Sequence, residues 1–394
     1  MTKRIAVVTT HPIQYQVPWL RRLSERPGID LKVFFGMIPD AEEQGREFGT
    51  RFEWDIPLLD GYNYSVLENR ARQPSLTRFG GLDTPQLYRE ISRGRFDAVI
   101  VNGWVVRSCI QALVACRLSG TPCIVRAEVN GLRPRPAWKR LGHRLLLSQY
   151  AAFLAIGTNN RRYLLETGVP ARRIFDTGYC VDNDRFARQA AAWRSAPDGI
   201  AGLRTRFGID PARTTFVFSG KYVDKKRPGD IVEALRHMSP IERERLQVLM
   251  VGGGPLGEDL AARAAGLPIR FAGFLNQSEI TAAYAASDCL LLPSDSGETW
   301  GLVVNEAMAC GLPAIVSDQV GSAADLIHPG RTGRVYACGD VSALADLMAS
   351  FALNRDEAAK MGLAARDLVH SRYNFDHVVD GVMAALSAIE KDAA

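Results

Sequence analysis

No stretch of this chain is apolar for the roughly 20 consecutive residues that a membrane-spanning helix needs, so a transmembrane helix is excluded. Its 394 residues hold only seven cysteines and no CxxC pair, which removes a disulfide framework and the usual thiol metal or redox motifs. No GxSxG elbow, HExxH helix or Walker loop occurs. A hydrolase triad, a zinc protease and a P-loop nucleotidase therefore have nothing to build on. The loop after the first apolar run, THPIQYQ, contains no glycine and so carries no dinucleotide fingerprint. Neither charge sign dominates: the net charge is +5, with no nucleic-acid recognition motif beside the basic residues. The start, MTKRIAVVTTHPIQ, breaks at Thr9–Pro12, which suits a buried strand better than a signal peptide and leads us to expect a cytoplasmic protein.

The chain is too long for one compact core, and its organisation divides in two. Apolar runs at 4–10, 31–35, 98–101, 123–126 and 153–156 alternate with helical patterns, as in a parallel sheet covered on both faces. A second α/β series runs through 215–219, 248–251, 269–272, 289–292 and 314–317. The sequence predicts a first domain over residues 1–195 and a second over 196–371, joined near Pro197-Asp198-Gly199. Residues 39–86 are expected to be irregular, and the stretch from Ala358 to about Ile389 helical. Ligands of doubly wound sheets bind beyond the carboxyl ends of the strands.

The most informative segment is ETWGLVVNE, residues 298–306, which runs on as AMACGLPAIVS. Glu298 falls in a loop before a helix and Glu306 within it, eight positions on, a little over two turns. A carboxylate among apolar residues needs a polar partner. Sugar and ribose hydroxyls suit it, and an acid/base couple is the other reading. Lys221 and Lys226, just past strand 215–219, suit a diphosphate as point charges or form a solvated basic loop. Gly252-Gly253-Gly254-Pro255-Leu256-Gly257 either cradles phosphate or is a tight strand-to-helix turn. The next strand ends in Phe274 and Leu275 without the acid a nicotinamide site requires. Asp182-Asn183-Asp184 reads as a helix-capping turn in preference to a metal-binding DxD.

In the first half, His11 follows the first strand, and Arg126 and Glu128 close another. These side chains either meet a substrate or, for the latter two, form a local ion pair. Between Arg126 and Arg173 ten Lys/Arg face two acids. The helix expected within 134–150 (PRPAWKRLGHRLLLSQY) is basic and amphipathic, with Trp138 near its start. It either lies on an anionic membrane surface or turns its leucines into the core.

From about Phe216 to Phe375 the chain resembles the retaining glycosyltransferases of family 4, which have the GT-B fold. SGKYVDKKRPGDIVEAL, VGGGP, FAGFLNQSEI, YAASDCLLLPS and SGETWGLVVNEAMACGLPAIVSDQVGSAADLI carry the resemblance in order. It implies two doubly wound, Rossmann-like α/β domains facing a cleft, with the end of the chain (372–394) crossing back onto the first. It also implies roles for several residues. Glu298 would lie near the donor-sugar hydroxyls and Glu306 on the ribose. The amides around Gly301, Leu302 and Val303, with Lys221 and Lys226, would meet the diphosphate, and Gly253, Gly254 and Phe274 would line the donor site. His11 and Glu128 stand on the acceptor side, where HPIQYQVPWLRRL and IVRAEVNG depart from the family pattern.

The expected function is retaining transfer from a nucleotide-sugar donor to a glycan, lipid-linked or small-molecule acceptor. No cofactor or essential metal and no nucleic acid are expected. Contact with the inner membrane face through residues 134–150 is the one membrane association in view. A nucleotide-sugar epimerase of the same fold and a non-catalytic partner of a transferase are the alternatives.

Overall fold

A computed structural model describes residues 2–393. Two compact units emerge. The first takes the chain up to Pro39, Pro57–Tyr179 and the chain from Phe375. The second takes Asp40–Ile56 and Cys180–Asn374.

In the first unit seven parallel strands, β1 (Lys3–Thr9), β2 (Ile29–Phe35), β3 (Asn63–Val66), β4 (Ala98–Asn102), β5 (Cys123–Arg126), β6 (Ala152–Ala155) and β7 (Ile174–Asp176), lie in the order β3-β2-β1-β4-β5-β6-β7. β1 is central: it pairs with β2 from Lys3↔Ile29 to Thr9↔Phe35 and with β4 from Ile5↔Ala98 to Val8↔Val101. The strand order reverses between β1 and β4, so the crevice for a ligand opens where these two strands end, at Thr9 and Asn102.

The second unit has six parallel strands, β8 (Thr214–Ser219), β9 (Leu246–Val251), β10 (Ile269–Gly273), β11 (Cys289–Leu292), β12 (Ala314–Ser317) and β13 (Gly333–Tyr336), in the order β10-β9-β8-β11-β12-β13. Every residue of β8, β9, β11 and β12 is buried. That is why these segments read as unbroken apolar runs without alternation. Thr215 is tolerated inside because its hydroxyl accepts from Gln247 Nε2 at 3.0 Å. Phe216 and Phe218 are fully buried in this core, where truncation of such a ring costs about 3–5 kcal/mol. The order reverses between β8 and β11, which places Gly220–Lys226 and Pro293–Gly301 at the switch point.

The units differ from the division at 195/196 that the sequence predicts. The helix Asn183–Arg194 packs on the helices Ile280–Ala285 and Leu302–Ala309, so it belongs with the second sheet. The stretch 39–86 is only partly irregular: it contains β3 and the short helix Ala41–Gly45. The C-terminal stretch is two helices, Arg355–Arg372 and Phe375–Ala393. The break falls where Asn183 Nδ2 donates to the carbonyls of Val369 (3.0 Å) and Tyr373 (2.8 Å), capping the first helix. The second helix lies in the first unit, where Asp376 pairs with Arg22 (2.6 Å) and Glu390 with Lys3 (2.7 Å).

Candidate active site

At the switch point of the second unit, the loop after β8 and the loop after β11 are fastened together. The Asp295 amide donates to the Lys225 carbonyl at 2.8 Å. A 3-10 turn, Asp224–Lys226, ends on Arg227, whose φ of 49° is uncommon for a side chain of its size. Its guanidinium is held by Asp230 at 2.8 Å. The turn delivers the Lys226 ammonium onto the Glu298 carboxylate, and both side chains are largely buried (13% and 12% exposed). Glu298 also accepts from Ser294 Oγ at 3.5 Å. An ion pair this enclosed is held together more tightly than a surface pair.

Beside it begins the helix Leu302–Ala309. Its first flanking residue, Gly301, has φ 93°, and a Cβ there would meet Leu292 Cδ2 at 2.9 Å. Glycine is therefore required on both conformational and steric grounds. No side chain among the described residues caps this end, and its first turn contains no acid. The N–H groups of Leu302 and Val303 and the positive end of the dipole are thus presented where an anion would be favoured. Glu306 lies further along the helix, 2% exposed, and accepts from the Tyr284 hydroxyl at 2.7 Å. Burial and the nearby Glu306 charge hold the Tyr284 phenol well above its ordinary range, so it stays a donor.

The glycine turn after β9 is packed against the same loops. A Cβ on Gly252 would strike the Gly220 carbonyl, and one on Gly254 the Tyr222 carbonyl at 2.8 Å. The Tyr222 amide donates to the Gly253 carbonyl at 2.7 Å. Close packing of two loops thus accounts for these glycines. Lys221 forms an ion pair with Glu47, and its Nζ stands 5.2 Å from the centre of the Phe48 ring. Phe274 is covered by the rings of Phe52 (4.2 Å) and Phe48 (5.0 Å). Sequence reasoning misses Glu47, Phe48 and Phe52. The aromatic spacing in REFGTRFEW is a visible signal, but its partner Phe274 lies far along the chain.

Asp182 accepts from the Arg185 amide at 2.9 Å and so caps the helix Asn183–Arg194, while Asp184 stands 3.8 Å from His370. Among the described residues no three His, Cys, Asp or Glu side chains cluster as metal ligands.

The first unit has its own switch-point group. Gln16 Oε1 accepts from Asn102 Nδ2 (2.8 Å) and from Thr9 Oγ1 (3.3 Å), joining the ends of β1 and β4. His11 contacts the Thr10 hydroxyl at 2.9 Å, and burial pulls its imidazole down to about 4. Arg126 and Glu128 do not form an ion pair: both meet Tyr179. The Arg126 guanidinium, 3% exposed, lies 4.6 Å from the centre of that ring and 5.8 Å from that of Trp19. Glu128 accepts from the Tyr179 hydroxyl at 2.5 Å. One phenol thus stacks on the guanidinium and donates to the carboxylate, a relation invisible at a separation of 51 residues.

The helix Ala137–Leu147 buries only Leu147. Trp138, Leu141 and Leu145 are 70%, 59% and 63% exposed. Leu146 packs against the core, so of the apolar stripe only Trp138, Leu141 and Leu145 face outward. Arg133, Arg135, Arg140 and Arg144 line a cavity of about 480 Å³ with Tyr163 and a single acid, Glu166.

Residues 202–368 match the family model described as glycosyl transferases group 1. Among curated proteins the chain is 26% identical over 278 residues to D-inositol 3-phosphate glycosyltransferase of Nocardia farcinica, covering 66% of this chain and 58% of that one. It is 31% identical over 209 residues to GDP-mannose-dependent alpha-(1-6)-phosphatidylinositol monomannoside mannosyltransferase of Mycobacterium tuberculosis, covering 50% and 51%. It is 37% identical over 124 residues to sulfoquinovosyl transferase SQD2 of Arabidopsis thaliana, covering 31% and 24%. Each match thus spans less than two thirds of the relative. Two solved structures share the fold along nearly all of both chains. Anabaena HepE in complex with UDP has a TM-score of 0.74 at 16% identity, covering 98% of this chain and 100% of that one. Sucrose-phosphate synthase of Thermosynechococcus elongatus has a TM-score of 0.72 at 17% identity, covering 100% of each.

Proposed function

We propose that this chain, a GT-B-fold protein whose residues 202–368 form a glycosyl transferases group 1 domain, transfers a sugar from a nucleotide-sugar donor with retention of configuration and without an essential metal. The observation that carries this reading is the enclosed Lys226–Glu298 pair beside the uncapped helix start at Gly301. The ammonium and the amides of Leu302 and Val303 are fixed before any substrate arrives, so they stabilise a departing diphosphate without reorganisation. Glu298, already holding Lys226, is placed for the sugar hydroxyls, and the buried Glu306 for the ribose. Transfer to the face the diphosphate leaves needs no side-chain nucleophile, because the departing phosphate itself can take the acceptor's proton. On the acceptor side, His11 and Glu128 are the polar groups that would orient an incoming hydroxyl. The Arg126–Tyr179 stack fixes Glu128 in place.

Relatives and neighbours are named for GDP-mannose and for UDP, so the test covers several bases. Purified protein is incubated with UDP-, GDP-, ADP- and dTDP-sugars and candidate acceptors, and products are read by mass spectrometry and NMR. The expected result is a glycoside with retained anomeric configuration, formed equally well in excess EDTA. A free isomerised sugar nucleotide without glycoside would instead favour an epimerase.

The outward leucines and Trp138 of Ala137–Leu147, amid the arginine cavity, support contact with an anionic membrane surface. Flotation with anionic vesicles should carry the wild-type protein and lose a Trp138→Ser, Leu141→Ser, Leu145→Ser variant. Equal flotation of the two would remove this contact.

A further inference from the structure

The segment Asp40–Ile56 follows β2 in the chain yet is part of the second unit, and it is fastened there at several points. Asp40 caps its short helix by accepting from the Glu43 amide at 2.8 Å. Asn276 Nδ2 donates to the Glu53 carbonyl at 2.6 Å, and the Ser278 amide and hydroxyl both donate to Asp55. Between these anchors the chain crosses Lys221, Gly253 and Phe274, the residues for which the family resemblance implies a place in the donor site. Glu47 takes the Lys221 ammonium. The Phe48 carbonyl lies so close to Gly253 that a Cβ there would be 2.5 Å from its oxygen. The Phe52 ring lies over Phe274 at 4.2 Å, tilted by only 30°.

A carboxylate on a cation, a few residues before an aromatic ring laid on an aromatic ring, imitates a nucleoside diphosphate: an anion joined to a flat base. We infer that Glu47 and Phe52 are donor-site residues of a strap that occupies the nucleotide's place and is displaced when the donor binds, a conclusion that rests on the donor site proposed above. The strap's own hold suits this. Its ion pair is partly exposed, with Glu47 59% and Lys221 31% accessible, so a doubly charged diphosphate outcompetes a single carboxylate there. The phenyl contact is a stack that a base can replace in kind. In contrast, Lys226 and Glu298 are enclosed and remain when the strap moves.

Arg46 and Arg51 lie exposed within the strap, so trypsin reports its release. The test compares the wild type with Glu47→Gln and Phe52→Ala, measuring UDP and GDP binding by calorimetry and the rates of cleavage after Arg46 and Arg51 by mass spectrometry. Glu47→Gln should tighten nucleoside diphosphate binding about two- to fivefold, the scale of one exposed ion pair. Saturating nucleotide should speed cleavage at both arginines in the wild type. Unchanged or weaker binding in both variants, or protection of Arg46 and Arg51 by nucleotide, would overturn the strap while leaving the donor site standing. Absence of any nucleotide binding in all three proteins would remove the donor site itself, and the strap with it.

Discussion

The two sheets of this chain reverse strand order in the same way, yet their switch points are furnished differently. The second presents charges in an enclosed, fixed arrangement: Lys226 on Glu298, an uncapped helix start and the buried Glu306. The first presents amides and aromatic rings: Gln16 with Asn102, His11 beside Thr10, and Tyr179 between Arg126 and Glu128. A diphosphate is always the same anion and rewards fixed cations. An acceptor hydroxyl needs orientation more than charge. The difference is what the proposed function expects of a donor-binding second unit and an acceptor-binding first unit.

Four substitutions probe this contrast between the units. Lys226→Ala should have the largest effect, lowering kcat for sugar transfer by about 10²–10³-fold, the scale of losing one preorganised charge-stabilising group. The same change should expose Glu298 without unfolding the domain, which a melting curve checks. Glu306→Gln comes next. It should raise the donor KM about tenfold, a loss comparable to one hydrogen bond to a charged group, with kcat little altered because the ribose does not react. Tyr179→Phe should lower kcat with acceptor by severalfold and leave nucleotide binding by calorimetry unchanged. An equal loss in nucleotide affinity would break the assignment of the two units.

The smallest effect concerns pH. Burial holds His11 near 4 in the folded protein, against 6.5 for an unperturbed imidazole, so the unfolded chain binds more protons between those values. Stability should therefore fall as pH drops from 6.5 toward 4 and level off below. His11→Gln should flatten that part of the melting-temperature profile.

Legibility in the sequence follows the range of the interactions. The strands Cys123–Arg126, Cys289–Leu292 and Ala314–Ser317 and the helices Gly229–His237 and Leu302–Ala309 are visible because apolar runs and Gly or Pro punctuation are local signals. Edge strands β3, β7 and β13 are not, since they are short and only partly buried. In the site, Glu298, Glu306 and Gly301 stand in one segment with a distinctive pattern. Tyr284 and Tyr179 act through partners 22 and 51 residues away, and Glu47 through one 174 away. No periodicity marks such pairs. Arg126 and Glu128 suggest a pair because they are neighbours in sequence, whereas a third residue, distant in the chain, contacts both.

We propose that the second unit's switch point binds the diphosphate of a sugar nucleotide. Calorimetric titration of nucleoside diphosphates into the wild type and Lys226→Ala tests it most directly. Saturable one-to-one binding of at least one base to the wild type, weakened tenfold or more in the variant, is the predicted result. Equal affinity in the two proteins, with both folded, would contradict it.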